Sequence, residues 1–229
     1  MRVNEVFHSI QGEGVHNQVP MIFVRLQGCN LYPKGCLYCD TEKAQNPSGG
    51  VGMSVHGVIN EAGRVRLGLA CWWYCITGGE PLMQEPELRM LVNEIKGDRY
   101  TSKVEIETNG TLPPPKWFSR VDSWVVDIKT PSAGQHIVNQ GVVLESWLGK
   151  LRNVDQLKFV VGTTEDLDFV SSILYARYFP STVLISPIMD RFSLVKSQIE
   201  PGFTKEVVGF VLRYNLRLSV QVHKFLGVG

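Results

Sequence analysis

Cys29, Cys36 and Cys39 lie in the stretch Gly28-Cys29-Asn30-Leu31-Tyr32-Pro33-Lys34-Gly35-Cys36-Leu37-Tyr38-Cys39-Asp40-Thr41, three thiols within eleven residues. A closed structural zinc site wants four protein ligands. A [4Fe–4S] cluster held by three thiolates leaves one iron open to a substrate or cofactor, so the count of three points to chemistry rather than to a staple. Gly28, Pro33 and Gly35 supply the turns with which a loop can wrap a cluster. Zinc stays open as a reading, but its fourth ligand would have to be His56, which falls in a predicted helix, or His8 or His16 upstream. Three unligated loop cysteines are the bland alternative.

A second polar stretch, Thr77-Gly78-Gly79-Glu80-Pro81, ends another apolar run. Its two glycines let the backbone approach a ligand closely, and Glu80 can accept hydrogen bonds from an amine or a ribose. Taken alone, such a segment also reads as a plain turn.

The elements that must position these groups are legible from periodicity. Residues 21–27, 70–76, 103–106, 121–126, 156–161, 182–185 and 217–222 read as strands. Residues 54–67 (capped by Ser54), 85–96, 144–151, 164–178 (capped by Thr164) and 202–214 read as helices. This alternation predicts a mostly parallel α/β sheet, its strands resembling apolar runs buried on both faces. Polar groups follow five of the strands: Thr77–Pro81 after the second, Glu107-Thr108-Asn109-Gly110 after the third, Asp127-Ile128-Lys129 after the fourth, Ser186-Pro187 after the sixth and His223-Lys224 after the last. In barrel-like parallel sheets that edge carries the active site, and the cysteine loop follows a strand on the same edge.

The chain has 229 residues, with 44% hydrophobic and 20% charged residues and a net charge of +1. It fits a single domain over residues 1–229, with no evident boundary, and gives no bulk electrostatic case for nucleic acid or membrane. No apolar run reaches the length of a membrane span and no signal-peptide core opens the sequence, so a cytoplasmic location is expected. Five cysteines, an odd number, argue against a disulfide framework. Cys71 and Cys75, flanking Trp72-Trp73-Tyr74, read as small buried hydrophobes.

The cysteine loop followed by Gly78-Gly79-Glu80-Pro81 resembles the radical S-adenosylmethionine enzymes. Ser9-Ile10-Gln11-Gly12-Glu13-Gly14, Phe23-Val24-Arg25-Leu26, Gly28-Cys29-Asn30-Leu31, Cys39-Asp40-Thr41, Glu107-Thr108-Asn109-Gly110-Thr111 and Gln221-Val222-His223-Lys224-Phe225-Leu226-Gly227 together resemble the family of 7-carboxy-7-deazaguanine synthases, over nearly the whole chain. The resemblance implies a partial, modified TIM-like (β/α)6 barrel of mostly parallel strands. It implies a [4Fe–4S] cluster on Cys29, Cys36 and Cys39, whose open iron chelates S-adenosylmethionine. It also implies a 5′-deoxyadenosyl radical that abstracts hydrogen from C6 of 6-carboxy-5,6,7,8-tetrahydropterin. The ring contracts, ammonia leaves, and S-adenosylmethionine is regenerated. The product, 7-carboxy-7-deazaguanine, is a precursor of queuosine and archaeosine.

By the same resemblance, Tyr38, Cys39, Asp40, Gly79, Glu80, Glu107, Asp127, Lys129 and Ser186 hold S-adenosylmethionine. Ile10, Gln11, Gly12, Glu13, Arg25, Thr77, His223 and the terminal Gly229 bind the pterin, and Thr41 offers an oxygen to Mg²⁺. A small-molecule pterin, an electron donor such as flavodoxin or ferredoxin and a homodimer are the implied partners. Read as residues alone, Arg25 is a fork for a carboxylate or a structural ion pair. Glu13 is an acceptor or a turn residue, Thr41 a metal ligand or a turn cap, and His223 a ligand or a satisfied strand-end histidine. Three departures from the family stand out: six residues, not three, separate Cys29 from Cys36, Asp127 stands where serine is usual, and Ser186 lies where glutamine is usual. A glycyl-radical activating enzyme would share the cluster and the glycine motif but would not need Gln11, Glu13 and Arg25; a zinc-binding interaction module is the non-enzyme rival.

Overall fold

The structure, a computed structural model, describes residues 1–68, 70–97, 102–134, 141–175, 177–189 and 201–228. Its strands are β1 (Arg2–Ile10), β2 (Pro20–Leu26), β3 (Val51–Gly52), β4 (Trp73–Gly78), β5 (Lys103–Thr108), β6 (Ser123–Ile128), β7 (Gln156–Val161), β8 (Thr182–Pro187) and β9 (Arg217–Leu218). The helices are α1 (Val55–Arg66), α2 (Glu85–Gly97), α3 (Val142–Leu148), α4 (Thr164–Leu174), α5 (Pro201–Arg213) and α6 (Val222–Leu226). All nine strands form one sheet in the order β3-β1-β2-β4-β5-β6-β7-β8-β9. β1 runs antiparallel to β2 and β3, and every later pairing is parallel. The sheet is open between β3 and β9, so the expected partial barrel is present, with six long parallel strands.

Side chains alternate across this sheet, as the two-residue period of a strand demands. One set, Ile22, Val24 and Leu26 of β2, Ile76 of β4, Ile106 of β5, Trp124 and Val126 of β6, Leu157 and Phe159 of β7 and Ile185 of β8, is fully buried and belongs to the main core. Leu88, Leu91, Val92 and Ile95 of α2, spaced as one helical face, close over it. Each such side chain contributes about 1.5–3 kcal/mol of burial. The intervening residues face the concave side, and many of them are polar: Arg25, Thr77, Glu105, Glu107, Asp127, Gln156 and Lys158. Strands β2 and β4 are apolar on both faces over most of their length, as the sequence reading had it, with Met21, Phe23 and Cys75 forming a second buried cluster; β5, β6 and β7 are apolar chiefly on the helix-covered face.

The connection from β5 to β6 holds no α-helix. Phe118 and Trp117 pack there against Trp124, and Trp147 of α3 lies 5.5 Å from Trp124, ring centre to ring centre. Trp147 Nε1 donates to the Leu112 carbonyl at 2.7 Å and Trp124 Nε1 to the Phe118 carbonyl at 3.0 Å, so both buried indoles are satisfied.

Several boundaries shift from expectation. β1, which opens the chain, and the two-residue β3 have no counterpart among the predicted strands. The strand expected over 70–76 starts and ends later, at Trp73–Gly78. Ser54 caps α1 as expected, its Oγ accepting from Gly57 N at 3.0 Å. Thr163, not Thr164, caps α4, because Asp166 completes a reciprocal capping box with it. The last strand, expected over 217–222, stops at Leu218. Ser219 Oγ accepts from Gly14 N at 3.0 Å and Val222 N donates to the Gly12 carbonyl at 2.9 Å, so the chain leaves the sheet and crosses to the β1–β2 turn. His223 and Lys224 consequently sit on α6 rather than at a strand end.

Candidate active site

The cysteine loop leaves β2 and is fixed by backbone bonds on both sides. Gly28 N donates to the Ala44 carbonyl and Cys29 N to the Gln45 carbonyl, each at 2.8 Å. The six residues between Cys29 and Cys36 fold into a compact turn, with Tyr32 N on the Cys29 carbonyl at 3.1 Å and Gly35 N on the Leu31 carbonyl at 2.8 Å. Leu37 N then bonds the Ala133 carbonyl at 3.0 Å, which ties the loop to the segment after β6. The extra residues are thus absorbed locally, and the three thiols still open to one cavity.

The glycine motif after β4 lies against this loop. Glu80 N donates to the Gly28 carbonyl at 2.8 Å. A Cβ on Gly79 would stand 2.1 Å from the Gly28 carbonyl oxygen, a distance no side chain tolerates, so glycine there sets the spacing between the two motifs. Glu80 itself is fully buried and does not line the cavity. Its carboxylate takes Leu82 N, Thr108 Oγ1 and Asn109 N at 2.7–3.0 Å, so in this arrangement it holds the two motif-bearing loops together. Asn109 in turn lies with its Nδ2 3.8 Å from Cys29 Sγ.

Cys29, Cys36 and Cys39, none of them in a disulfide, line a cavity of about 580 Å³ at the C-terminal edge of the sheet. Burial pushes the Cys36 thiol up to about 11 and raises Cys29 as well, so a bound cation would be needed to hold them as thiolates. The three sulfurs are not a compact triad. Among the described residues, the one set of three potential ligands whose atoms all lie within 4.8 Å of one another is Cys75, Glu105 and Glu107.

The residues expected at S-adenosylmethionine line the same cavity: Tyr38, Cys39, Asp40, Gly79, Glu107, Asp127, Lys129 and Ser186, with Glu80 beneath. Lys129 Nζ bonds Asp127 Oδ2 at 2.6 Å and lies 5.6 Å from the centre of the Tyr38 ring. The anion at position 127 is therefore neutralised by the lysine two residues on. Burial lowers the Lys129 pKa, but Asp127 and the nearby Tyr38 and Cys36 outweigh it, so the ammonium persists. Thr41 Oγ1 lies 3.7 Å from Cys39 Sγ at the cavity wall.

The expected pterin residues Ile10, Gln11, Gly12, Glu13, Arg25, Thr77 and His223 also line it, whereas Gly229 lies outside the described residues. Gln11 is nearly fully buried, and its Nε2 donates to both Glu105 and Glu107 at 3.0 Å. Its amide is committed to the protein, which leaves the backbone of the turn as the surface it can offer a ligand. Glu107 accepts from Thr77 Oγ1 at 2.8 Å, and its pKa is raised by burial, with Lys158 opposing and Glu13 and Glu105 adding to the rise. Arg25, beside Thr77 in register, donates Nε to Glu5 at 2.7 Å and stacks 5.5 Å over Phe7, so the ion-pair reading and the cavity-lining one both hold. His223 seats on Gly12, where a Cβ would come within 1.9 Å of its Nδ1. Burial lowers the His223 pKa, against the pull of Glu13 and Asp40.

Two residues of this site, Lys158 and Glu105, escaped the sequence reading, and two others, Gln221 and Lys224, were quoted there without a role in the site. Lys158 was absorbed into an apolar strand, although it alternates with Leu157 and Phe159 and stands beside Asp127 in register. Glu105, two residues before Glu107 and on the same face, accepts from His16, Gln11 and Gln156 at 2.6–3.0 Å. Gln221 and Lys224 tie the C-terminal segment to the cysteine loop: Gln221 donates to Glu13 at 2.6 Å and to Asp40 at 3.2 Å, and Lys224 pairs with Asp40 at 3.1 Å. The polar–apolar alternation in Lys103–Thr108 and over 156–159 was the signal that could have found Lys158 and Glu105.

An open parallel barrel with three cysteine thiols and a glycine turn at its catalytic edge defines a cluster-binding enzyme. Residues 10–113 match the 4Fe-4S single cluster domain family. Over its full length the chain is 36% identical to the 7-carboxy-7-deazaguanine synthase of Methanospirillum hungatei, covering 86% of that protein. It is 31% identical to the one from Thermoplasma acidophilum, covering 99% of this chain and 97% of that protein. Among solved structures, QueE from Escherichia coli superposes with a TM-score of 0.70 at 25% identity, covering 97% of this chain and 94% of that one. A radical SAM methyltransferase from Sphaerobacter thermophilus shares the fold, with a TM-score of 0.59 at 14% identity, covering 88% and 66%. The chain belongs to the 7-carboxy-7-deazaguanine synthase family.

Proposed function

We propose that this chain is a radical S-adenosylmethionine lyase that contracts the ring of 6-carboxy-5,6,7,8-tetrahydropterin to 7-carboxy-7-deazaguanine with loss of ammonia. The observation that carries this reading is that the three loop thiols and the polar residues of the inner sheet face open to one cavity. When bound, the cluster and S-adenosylmethionine supply a carbon radical able to abstract hydrogen. Cys29, Cys36 and Cys39 would hold the cluster. Gly79, Tyr38, Asp40, Glu107, Asp127, Lys129 and Ser186 would seat S-adenosylmethionine, with Lys129 as the charge for its carboxylate, and Glu80 would brace the glycine turn beneath it.

The protein's part in the reaction is position and electrostatics. Arg25, the turn over residues 10–13, Thr77, His223 and Gly229 would orient the pterin so that its reacting carbon faces the cofactor. The neutral imidazole expected of His223 can accept or donate a proton at a pterin heteroatom. Thr41 would give Mg²⁺ an oxygen beside the cluster loop. Single-domain organisation, a homodimer, a flavodoxin- or ferredoxin-type reductant and a cytoplasmic location complete the reading. Among the described residues no helix is long and apolar enough to cross a membrane. The test is anaerobic reconstitution followed by mass spectrometry of the product. Formation of 7-carboxy-7-deazaguanine supports the reading; a protein that loads iron and cleaves S-adenosylmethionine but leaves the pterin intact refutes it and favours an activating enzyme.

A further inference from the structure

Lys158 is a cation set among carboxylates. It projects from β7 into the cavity, only 16% exposed, and pairs with Glu13, which is equally enclosed. Asp127, its register neighbour on β6, Glu107 on β5 and Asp40 in the cysteine loop are further charged neighbours. Glu13 is held from two sides: one oxygen meets Lys158, and the other accepts from Gln221 Nε2 at 2.6 Å. Both donors come from elements remote in sequence, β7 and the segment before α6, so the carboxylate has a fixed direction. A pterin presents a guanidine-like edge rich in N–H donors, and an acceptor-only group facing it must be ionised and oriented.

We propose that Lys158 is a specificity-determining positioning residue that keeps Glu13 an ionised, directed acceptor for the N–H edge of the substrate. This rests on the pterin reading above and adds a residue to it. The electrostatics agree: burial acts to raise the Glu13 pKa, but the charge and hydrogen bond of Lys158 and the hydrogen bond of Gln221 outweigh it, and the carboxyl stays below its usual range. The other groups facing Glu13 are Asp40 in the cysteine loop, Glu107 on β5 and His223 on α6, with Lys224 beyond on Asp40 and Gln221. Of these, Asp40 works against ionisation of Glu13.

The test is a double-mutant cycle on the reconstituted holoenzyme with Lys158→Met, Glu13→Gln and the pair together, reading iron content, KM for the carboxytetrahydropterin and kcat. Each single variant is expected to raise KM about tenfold or more with a smaller loss in kcat, and Lys158→Met should add less than about twofold in the Glu13→Gln background. In Lys158→Met, KM should also climb as the pH falls from 8 to 6, because an unpaired buried carboxylate takes up a proton, while the wild-type KM stays flat. The double variant removes both charges and leaves no unpaired one, so it folds even where a single variant does not; wild-type-like KM in it overturns the inference. Independent, multiplying effects on KM do so too, since Lys158 would then act on a ligand without Glu13. A wild-type protein that converts none of the pterin overturns the functional reading and the inference together, whereas normal wild-type turnover with an unchanged KM in Lys158→Met overturns the inference alone.

Discussion

The two faces of the sheet are made by the same strands and do opposite work. On β7, Leu157 and Phe159 are fully buried under the helices, while Lys158 between them faces the cavity with Glu13. On β5, Val104 and Ile106 belong to the core while Glu105 and Glu107 point the other way into a shared network with Gln11. The helix-covered face gains its stability from apolar area, and loss there is felt by the whole domain. The concave face carries charges whose burial costs free energy unless each finds a partner, and here each carboxylate is answered by a lysine, a glutamine, a histidine or a threonine. The difference teaches that stability and chemistry are separable at a spacing of one residue.

That separation can be broken or sharpened by substitution. The largest expected effect is at the loop: Cys29→Ala, Cys36→Ala and Cys39→Ala each abolish cluster assembly, whereas Cys71→Ala and Cys75→Ala retain it, as iron analysis would show. Loss of iron in Cys71→Ala would contradict the three-ligand account. On the covered face, Leu157→Ala should cost about 2–5 kcal/mol in urea unfolding, while a variant that still folds keeps its KM for the pterin; a shifted KM would mean that the two faces are coupled. Gly79→Ala forces the glycine turn off the Gly28 carbonyl and should weaken S-adenosylmethionine binding about tenfold, roughly 1.4 kcal/mol, measured by calorimetry on the holoprotein. The smallest effect belongs to the outer layer: Ser54→Ala removes the cap of α1 and should cost about 1 kcal/mol with full cluster loading.

Much of this was legible in the sequence because the signals were local. Three cysteines in a short loop, a double glycine after a strand and polar residues at successive strand ends need no long-range knowledge, and the structure gathers them in one cavity. Other parts depend on tertiary contacts. β1 carries alternating polar residues and is mostly half-buried, so its pattern gave no apolar run to notice. Residues 219–222 have the composition of a strand but leave the sheet because Gly12 and Gly14 offer backbone partners more than two hundred positions away in sequence. Lys158 was hidden by reading β7 as apolar throughout, when one side of that strand has a polar lining to meet. Arg25 illustrates a further limit: its type announced a charge partner, but only the fold shows Glu5 and Phe7 sharing that task with the cavity.

The account's central claim is that cofactor and substrate meet in the one cavity over the concave face. Turnover of substrate deuterated at C6, followed by mass spectrometry of recovered S-adenosylmethionine, tests it most directly. The account predicts deuterium in the 5′ position of the recovered cofactor together with 7-carboxy-7-deazaguanine. Product formed with no deuterium passing to the cofactor, or a cofactor cleaved with the substrate label untouched, would contradict it.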